Sequence, residues 1–316
     1  MTNKLSVGYF VNWGIYDRKF PPSALQVDTL THILYAFANI SPDGSVILSD
    51  KWADIEIHYP DDSWDEDQSS NLYGCFKQLY LLKKANRHLK VLLSIGGWSY
   101  SPALHPIVVD PHKRATFVET AVTLLEDLGL DGLDVDYEYP QDDEQAQGYV
   151  ALLCELRLAL DAHAQKKGTD YHFALTLFPS GKDYAGSWDS VAGHHSILES
   201  GSYDYRALPL PGAVTQIDSD RMPCWSYDPD TKEMITYDNE ETAAAKGQWI
   251  QDQGLGGAMF WELSGDKCPS QPDRSEMECG PGKDAAPGPS LVQVVADAMG
   301  GIFKGTGEES EGWNWL

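Results

Sequence analysis

Six short runs of apolar and β-favouring residues recur along the chain, with helical patterns between them. The runs span residues 5–13, 31–40, 90–98, 130–139, 171–178 and 256–263. Several are apolar at nearly every position, which is typical of parallel strands covered on both faces. The helical patterns are marked by Phe76, Leu79 and Tyr80, by Phe117, Ala121, Leu124 and Leu128, and by Leu153, Leu156 and Leu160.

This alternation predicts βαβ units, and for 316 residues the strongest candidate is an α/β fold of the (β/α)8 TIM barrel type. A doubly wound sheet is the alternative. That fold would place a glycine-rich phosphate loop after the first strand, and the sequence has none there.

The charge balance limits the partners of the chain. It has 23 basic and 48 acidic residues, a formal net charge of −25, which repels phosphate backbones and anionic lipids. We therefore expect neither nucleic acid nor a membrane as a partner. We also expect the chain to be a monomer. The start shows no apolar segment typical of a secretion signal, so we expect a cytoplasmic or non-classically exported protein, with an extracellular location as the alternative.

The five cysteines are scattered and form no close metal-type pair. Their spacing does not predict a disulfide framework. Cys268 and Cys279 lie close enough in sequence to form a disulfide in a loop, and the sequence leaves this open.

The stretch DGLDVDYEYP, residues 131–140, places several carboxylates on one predicted strand. Side chains alternate along a strand, so Asp134, Asp136 and Glu138 share one face. Acids this close cannot all ionise, so a proton is shared, and we expect the outermost acid, Glu138, to hold it near neutral pH. A protonated carboxyl at the carboxyl end of a barrel strand suits general acid catalysis.

The same acids have two other interpretations. A calcium loop requires a glycine within the acidic run and a helix directly on each side, and the run from Asp134 to Glu138 has neither. A purely structural row of acids would need basic partners.

The acidic stretch also resembles a known family. The pattern D-x-x-D-x-D-x-E at Asp131, Asp134, Asp136 and Glu138, with S-x-G-G from Ser94 to Gly97, is similar to glycoside hydrolase family 18, the chitinases. Further matching segments are GYFVNW near the start, YAFAN at 35–39, DYAGSWD at 183–189 and GGAMFWELSGDK at 256–267. The pattern is closest to that of fungal chitinases that begin without a secretion signal.

The resemblance implies a role for each acid. Glu138 would protonate the leaving oxygen, Asp136 would orient the N-acetyl group of the substrate as an internal nucleophile, and Asp134 would hold and tune Asp136. Chitin or a chito-oligosaccharide would be the partner, and no metal or organic cofactor is implied. The implied substrate-binding residues are Tyr9, Phe37, Gly97, Trp98, Tyr139, Asp183 and Trp261, with Asp131, Ser94 and Gly96 as structural motif residues.

Sugar faces stack on aromatic rings, and the two glycines would let the backbone approach a sugar closely. Tyr9 and Phe37 could equally be core residues.

The chain departs from the family pattern in its second half. Only one clear helix, at 241–254, separates the run at 171–178 from the last run. Two strands and two helices, on the order of 50 residues, are missing there. The gaps fall between Leu177 and Asp183 and between His195 and Tyr203, so the barrel is expected to be incomplete around strands 6 and 7. Lys182 stands where the family has a tyrosine.

We expect a catalytic barrel over 1–300, a remnant of a small α+β insertion at about 200–240, and a tail at 301–316.

The sequence thus predicts a retaining chitinase whose activity the missing segments could impair. A chitin-binding lectin without catalysis is the alternative. Endo-β-N-acetylglucosaminidases, which act on protein-linked glycans, share the acid motif, but the tryptophan-rich groove and the insertion-like segment favour chitin.

Overall fold

A computed structural model of the chain describes residues 4–60, 62, 71–178, 203–218, 222–267 and 288–305. Its strands are β1 Leu5–Val11, β2 His32–Ile40, β3 Val46–Leu48, β4 Lys90–Gly96, β5 Gly132–Asp136, β6 Ala174–Leu177, β7 Val214–Ile217, β8 Cys224–Asp228, β9 Glu233–Tyr237 and β10 Gly257–Phe260. Its α-helices are α1 Gly74–Ala85, α2 Gly97–Val108, α3 Pro111–Asp127, α4 Asp143–Lys166, α5 Glu240–Asp252 and α6 Leu291–Ala298. The chain divides into two compact units, one formed mainly by residues 33–180 and the other by residues 1–32 and 181–304.

In the unit formed by residues 33–180, a sheet has the strand order β2-β4-β5-β6, and β3 pairs antiparallel with β2. Strands β4, β5 and β6 run parallel to one another. The core of the unit is apolar and fully buried; Leu93, Val135, Phe117, Leu156 and Leu160 have no exposed surface. The burial of strands and helices in one core fits βαβ units whose helices cover the sheet.

The helix starts of this unit follow from short polar side chains. The side chain of Asp110 accepts hydrogen bonds from the first turn of α3, which begins at Pro111. The side chain of Asp142 accepts from Gln145 N at 2.8 Å and caps α4. These caps fix the residues at which α3, before β5, and α4, after β5, begin.

In the other unit, β1 pairs parallel with β10. Helices α5 and α6 pack closely, because Gly247 of α5 has no side chain to meet Ala298 of α6. Strands β7, β8 and β9 form a separate antiparallel sheet. These three strands span residues 214–237, within the range of about 200–240 for which the sequence predicts the α+β insertion.

The six predicted strands are present, each shorter than the run that predicts it. Their shorter bounds place Glu138 beyond the end of β5, and Trp98 in α2 rather than in a strand. Helix α2 has no counterpart among the predicted helices. Tyr80, expected on the buried face of α1, is 50% exposed; Cys75, Phe76 and Leu79 are the buried side chains of that helix.

Helix α4 keeps one apolar row in contact with solvent. Val150, Cys154 and Leu158 are exposed and lie four residues apart, so they share one face. In a complete barrel a further helix follows the next strand and lies beside such a helix. None of the helices in the described ranges is long and apolar enough to cross a membrane.

Candidate active site

Strand β5 carries the acidic motif, and the first acid of that motif lies at its amino end. Asp131 accepts hydrogen bonds from Val91 N at 2.8 Å and from the Tyr171 hydroxyl at 2.9 Å. It also forms an ion pair with Lys83 at 2.5 Å. These contacts join Asp131 to the neighbouring strand and helix and hold the amino end of β5 in place.

Asp134 is the next acid, and two hydroxyl groups hold its carboxylate. The register of the sheet places Ser94 of β4 and Thr176 of β6 directly beside it. Both hydroxyls donate to the carboxylate at 2.6 Å, one to each oxygen. Asp134 is 1% exposed, so these hydrogen bonds replace the water that the buried carboxylate has lost. The serine of the S-x-G-G motif thus contacts the acid row directly.

Asp136 and Glu138 form a hydrogen-bonded pair of carboxyl groups at the carboxyl end of β5. Burial, followed by the charges of Glu138 and Asp134, raises the pKa of Asp136 to about 8. Burial also raises the pKa of Glu138, while hydrogen bonds from Tyr139, Asp136 and the Trp98 backbone oppose that rise. The pair therefore holds one proton near neutral pH.

The sequence predicts that Glu138 holds this shared proton, and in the structure the pKa values of both carboxyl groups are raised. Asp136 is 3% exposed, whereas Glu138 is only half-buried and accepts a hydrogen bond from the Tyr139 hydroxyl at 3.3 Å. Among the described residues, no lysine or arginine is a source of the pKa shift of either carboxyl, so the interpretation of a purely structural acid row gains no support at this pair.

The backbone between these two acids is held by Ser101 of α2. Its hydroxyl accepts from Glu138 N at 2.8 Å and donates to Asp136 O at 3.3 Å. Ser101 has no exposed surface. The sequence analysis did not single out this residue.

The two glycines of the S-x-G-G motif make room for the protein itself. A Cβ on Gly96 would lie 2.2 Å from Asp136 O, and a Cβ on Gly97 would lie 2.6 Å from the ring of Phe37. Both residues also have a positive φ, +112° and +73°. A side chain at either position would therefore collide with the protein itself, and the close approach of a sugar to this backbone stays a prediction.

The predicted substrate-binding aromatic residues differ in accessibility. In the unit of residues 33–180, Trp98 is 73% exposed, Tyr139 is partly exposed, and Phe37 is 8% exposed. In the other unit, Tyr9 is 2% exposed and packs edge-on against Trp261, with ring centroids 4.9 Å apart. Trp98 therefore has a free ring face for a ligand, whereas Tyr9 and Phe37 are packed like core residues.

Two features near Trp261 were missed by the sequence analysis. The ring of Trp13 lies 6.4 Å from that of Trp261. The adjacent Glu262 accepts a hydrogen bond from Arg18, which also donates to Asp204 Oδ1 at 3.3 Å. The side chains of Arg18, Asp204 and Glu262 are each 10% exposed or less. This ion-pair cluster therefore holds the chain next to Trp261. Residues 18, 204 and 262 are too far apart in sequence to form a recognisable pattern.

Several sequence-based expectations concern positions outside the described residues. Asp183, Lys182, and the pair Cys268 and Cys279 belong to this group. In the described ranges, Cys75, Cys154 and Cys224 are free thiols. The same ranges contain no group of three or more histidine, cysteine or acidic residues arranged to hold a metal ion.

Comparison with known sequences gives a consistent result. The sequence matches the family described as Glycosyl hydrolases family 18 over residues 6–219 and 184–266. Chitinase 1 of Aphanocladium album is 36% identical, over 82% of this chain and 81% of that protein. Endochitinase 1 of Metarhizium robertsii is 35% identical, over 82% of this chain and 81% of that protein.

Solved structures show the same fold. Chitinase ChiA74 from Bacillus thuringiensis superposes with a TM-score of 0.78 at 22% identity, covering 98% of this chain and 71% of that one. A class V chitinase mutant from Cycas revoluta, solved in complex with (GlcNAc)3, superposes with a TM-score of 0.65 at 18% identity, covering 93% and 99% of the two chains. The barrel class predicted from the sequence is confirmed by these similarities.

The same comparisons bear on the shortened second half. The alignment with Chitinase 1 extends over 343 positions, more than the 316 residues of this chain, yet it covers only 82% of the chain. A substantial part of the relative therefore faces gaps in this chain. The two stretches that match the family also overlap at residues 184–219, a range that contains the second of the two predicted gaps, between His195 and Tyr203.

Proposed function

This chain belongs to family 18 of the glycosyl hydrolases, and from that premise we propose that it hydrolyses the β-1,4 linkages between N-acetylglucosamine units of chitin. The observation that carries the proposal is the proton-sharing pair of Asp136 and Glu138 at the carboxyl end of β5. Barrel enzymes build their active sites at this end of their strands. The names of its relatives, chitinase and endochitinase, support the same substrate.

The first chemical step needs a proton on the sugar–sugar linkage. In this proposal Glu138 gives its proton to the glycosidic oxygen while the bond from that oxygen to C1 breaks. The acetamido oxygen of the same sugar bonds to C1, which produces an oxazolinium ion. Glu138 then removes a proton from water while the water oxygen attacks C1. This attack breaks the bond between C1 and the acetamido oxygen, so the oxazolinium ring opens and the sugar keeps its β configuration. The protein supplies no nucleophile, as in other members of this family.

Asp136 has two functions in this scheme. It holds a proton that can move to Glu138, because the two carboxyl groups are hydrogen-bonded. It would also accept a hydrogen bond from the acetamido N–H and so turn the acetamido oxygen towards C1. In support, Asp136 Oδ1 is buried and accepts no hydrogen bond from the described residues. A buried acceptor without a donor is unfavourable until a ligand supplies one.

Asp134 and the aromatic residues would complete the site. The hydroxyls of Ser94 and Thr176 keep the Asp134 carboxylate in place below Asp136, where its charge raises the pKa of Asp136. Trp98 offers an open ring face on which a sugar can stack.

The test is release of a fluorophore from a labelled chito-oligosaccharide. The Glu138→Gln variant should lose about 10²- to 10⁴-fold in kcat, because glutamine cannot donate the proton. Glu155→Gln is a matched control, since Glu155 is paired with Arg114 on the surface of the same unit. Equal rates for the wild type and Glu138→Gln would refute the catalytic role.

The lectin alternative is not favoured, because Glu138 is present and paired with Asp136. It makes a distinct prediction: the chain would be retained on chitin beads and release no soluble product. A chain that lacks these segments can also be a slow enzyme. The assay therefore compares Glu138→Gln and Glu155→Gln with each other and with buffer alone.

A further inference from the structure

Ser101 occupies a position that the family motifs do not include. It lies in the second turn of α2, four residues after Gly97, and has no exposed surface. Its hydroxyl is placed between the main-chain groups of two consecutive acids of the motif, accepting from Glu138 N at 2.8 Å and donating to Asp136 O at 3.3 Å.

The sheet itself cannot hold this part of the backbone. Strand β5 ends at Asp136, whose last partner on β4 is Gly96. On the other side, the pairing with β6 ends one residue earlier, at Val135. Beyond Asp136 the chain leaves the ladder of strand hydrogen bonds, so the main-chain N–H of Glu138 needs another partner. Ser101 is that partner.

We propose that Ser101 is a positioning residue that sets the distance and orientation of Asp136 and Glu138 relative to each other. This inference rests on the proposed function and deepens it. The hydroxyl bridges the main chain on both sides of Tyr137 and so limits how the Glu138 side chain can move relative to Asp136. Proton transfer and proton sharing both depend steeply on such geometry.

Helix α2 is a rigid platform for this hydroxyl. Leu104, Ile107 and Val108 of the same helix have no exposed surface. Gly148 of α4 would meet Val108 O at 2.3 Å if it carried a Cβ, so α4 presses directly on the end of α2. A hydroxyl on a buried, tightly packed helix cannot follow a moving loop, and it therefore restrains the loop.

A purely structural serine and a positioning serine make different predictions. A structural hydroxyl would change only the stability of the fold. A positioning hydroxyl would change kcat, and it would change how the two carboxyl groups share their proton. The Ser101→Ala variant removes the hydroxyl, adds no atoms to the buried site and leaves all side chains of the acid pair in place.

The experiment compares Ser101→Ala with Thr120→Val. Thr120 is a matched control in the same unit, because its hydroxyl also accepts from a main-chain N–H, that of Val46 at 2.9 Å, and donates to a carbonyl, that of Thr116 at 2.7 Å. We expect Ser101→Ala to lower kcat about tenfold or more with KM within about twofold of the wild type. Thr120→Val should lower the unfolding midpoint and leave kcat unchanged.

A second measurement does not depend on turnover. Carbon-13 NMR titration of labelled carboxyl groups, assigned with Asp136→Asn and Glu138→Gln, reports the two apparent pKa values of the pair. These values should move closer together in Ser101→Ala, because looser geometry weakens the coupling. They should not change in Thr120→Val.

The outcomes separate this inference from the proposed function. If the wild type shows no turnover, the proposed function fails and the titration alone decides the role of Ser101. If the wild type is active but Ser101→Ala retains its kcat and the pair titrates as before, the positioning role is refuted while the proposed function stands.

Discussion

The buried proton of the acid pair should make the protein less stable as the pH rises. Asp136 has a pKa raised from 3.8 to about 8, with burial as the main cause. Between these pH values the folded chain holds the proton while the unfolded chain releases it, so the unfolded state binds fewer protons. Stability therefore falls as the pH rises from about 4 to about 8 and changes little further above that.

The magnitude follows from the same pKa. Each tenfold difference in proton affinity corresponds to about 1.4 kcal/mol, so the penalty at pH 7 is about 4 kcal/mol. Part of it belongs to Glu138, which shares the proton. Asp136→Asn replaces the titrating carboxyl by a neutral group of the same shape. We expect this variant to gain about 2 to 4 kcal/mol in free energy of unfolding at pH 7 and almost nothing at pH 4.

The assay is urea denaturation followed by tryptophan fluorescence at pH 4, 7 and 8.5. Asp161→Asn is the control, because Asp161 is an acid on the surface of the same unit, paired with Arg157, and should show a small difference at every pH. A stability difference for Asp136→Asn that is the same at all three pH values would contradict the buried-proton account. So would an Asn variant that is less stable than the wild type at pH 8.5.

Three further predictions concern the surroundings of the acid pair. Gly97→Ala should lower the free energy of unfolding in urea titrations by about 2 to 3 kcal/mol, because it combines a positive φ with overpacking. Gly129 also has a positive φ but has open space around it, so Gly129→Ala should lower the same quantity by only about 1 kcal/mol. Arg18→Met takes the cation from buried Glu262 and leaves buried Asp204 with Arg206 alone, so the melting temperature should drop, and the drop should be larger at pH 8 than at pH 5, where the acids can take up protons; an equal drop at both would argue against the cluster. Ser94→Ala removes one of the two hydroxyl donors to Asp134, and kcat should fall about tenfold while binding to chitin beads is retained; unchanged kcat would mean that Asp134 does not need this donor.

The acid row was predictable because its geometry depends on local spacing. Alternation along a strand places Asp134 and Asp136 on one side whatever the rest of the chain does. The strand was expected to continue to residue 139, but it ends at Asp136. Strand ends depend on the neighbouring strands, and a single stretch of sequence does not contain that information.

Helix α2 could not be predicted in the same way. It begins at Gly97 with a positive φ and contains Pro102 and Pro106, features that normally argue against a helix. Tertiary packing of Leu104 and Ile107 outweighs that local preference. Because α2 was missed, Ser101 was missed with it.

The different burial of the two acids also needed the structure. Like charges in sequence indicate that a proton is shared, but which group holds it depends on relative burial and on nearby donors. Asp136 is the more deeply buried of the two, and Glu138 has Tyr139 as a donor. The cluster around Arg18 needed three distant segments to meet, which no local pattern can show.

The contact between Gly96 and Asp136 limits how enzymes with this arrangement can change. A side-chain carbon at position 96 would lie 2.2 Å from the main-chain oxygen of Asp136, so the carboxyl ends of β4 and β5 leave no room for a side chain between them. Any larger residue at position 96 would push Asp136 outward and weaken the hydrogen bond between the carboxyl groups of Asp136 and Glu138. Position 96 is therefore closed to every residue with a side chain for as long as Asp136 keeps its present place.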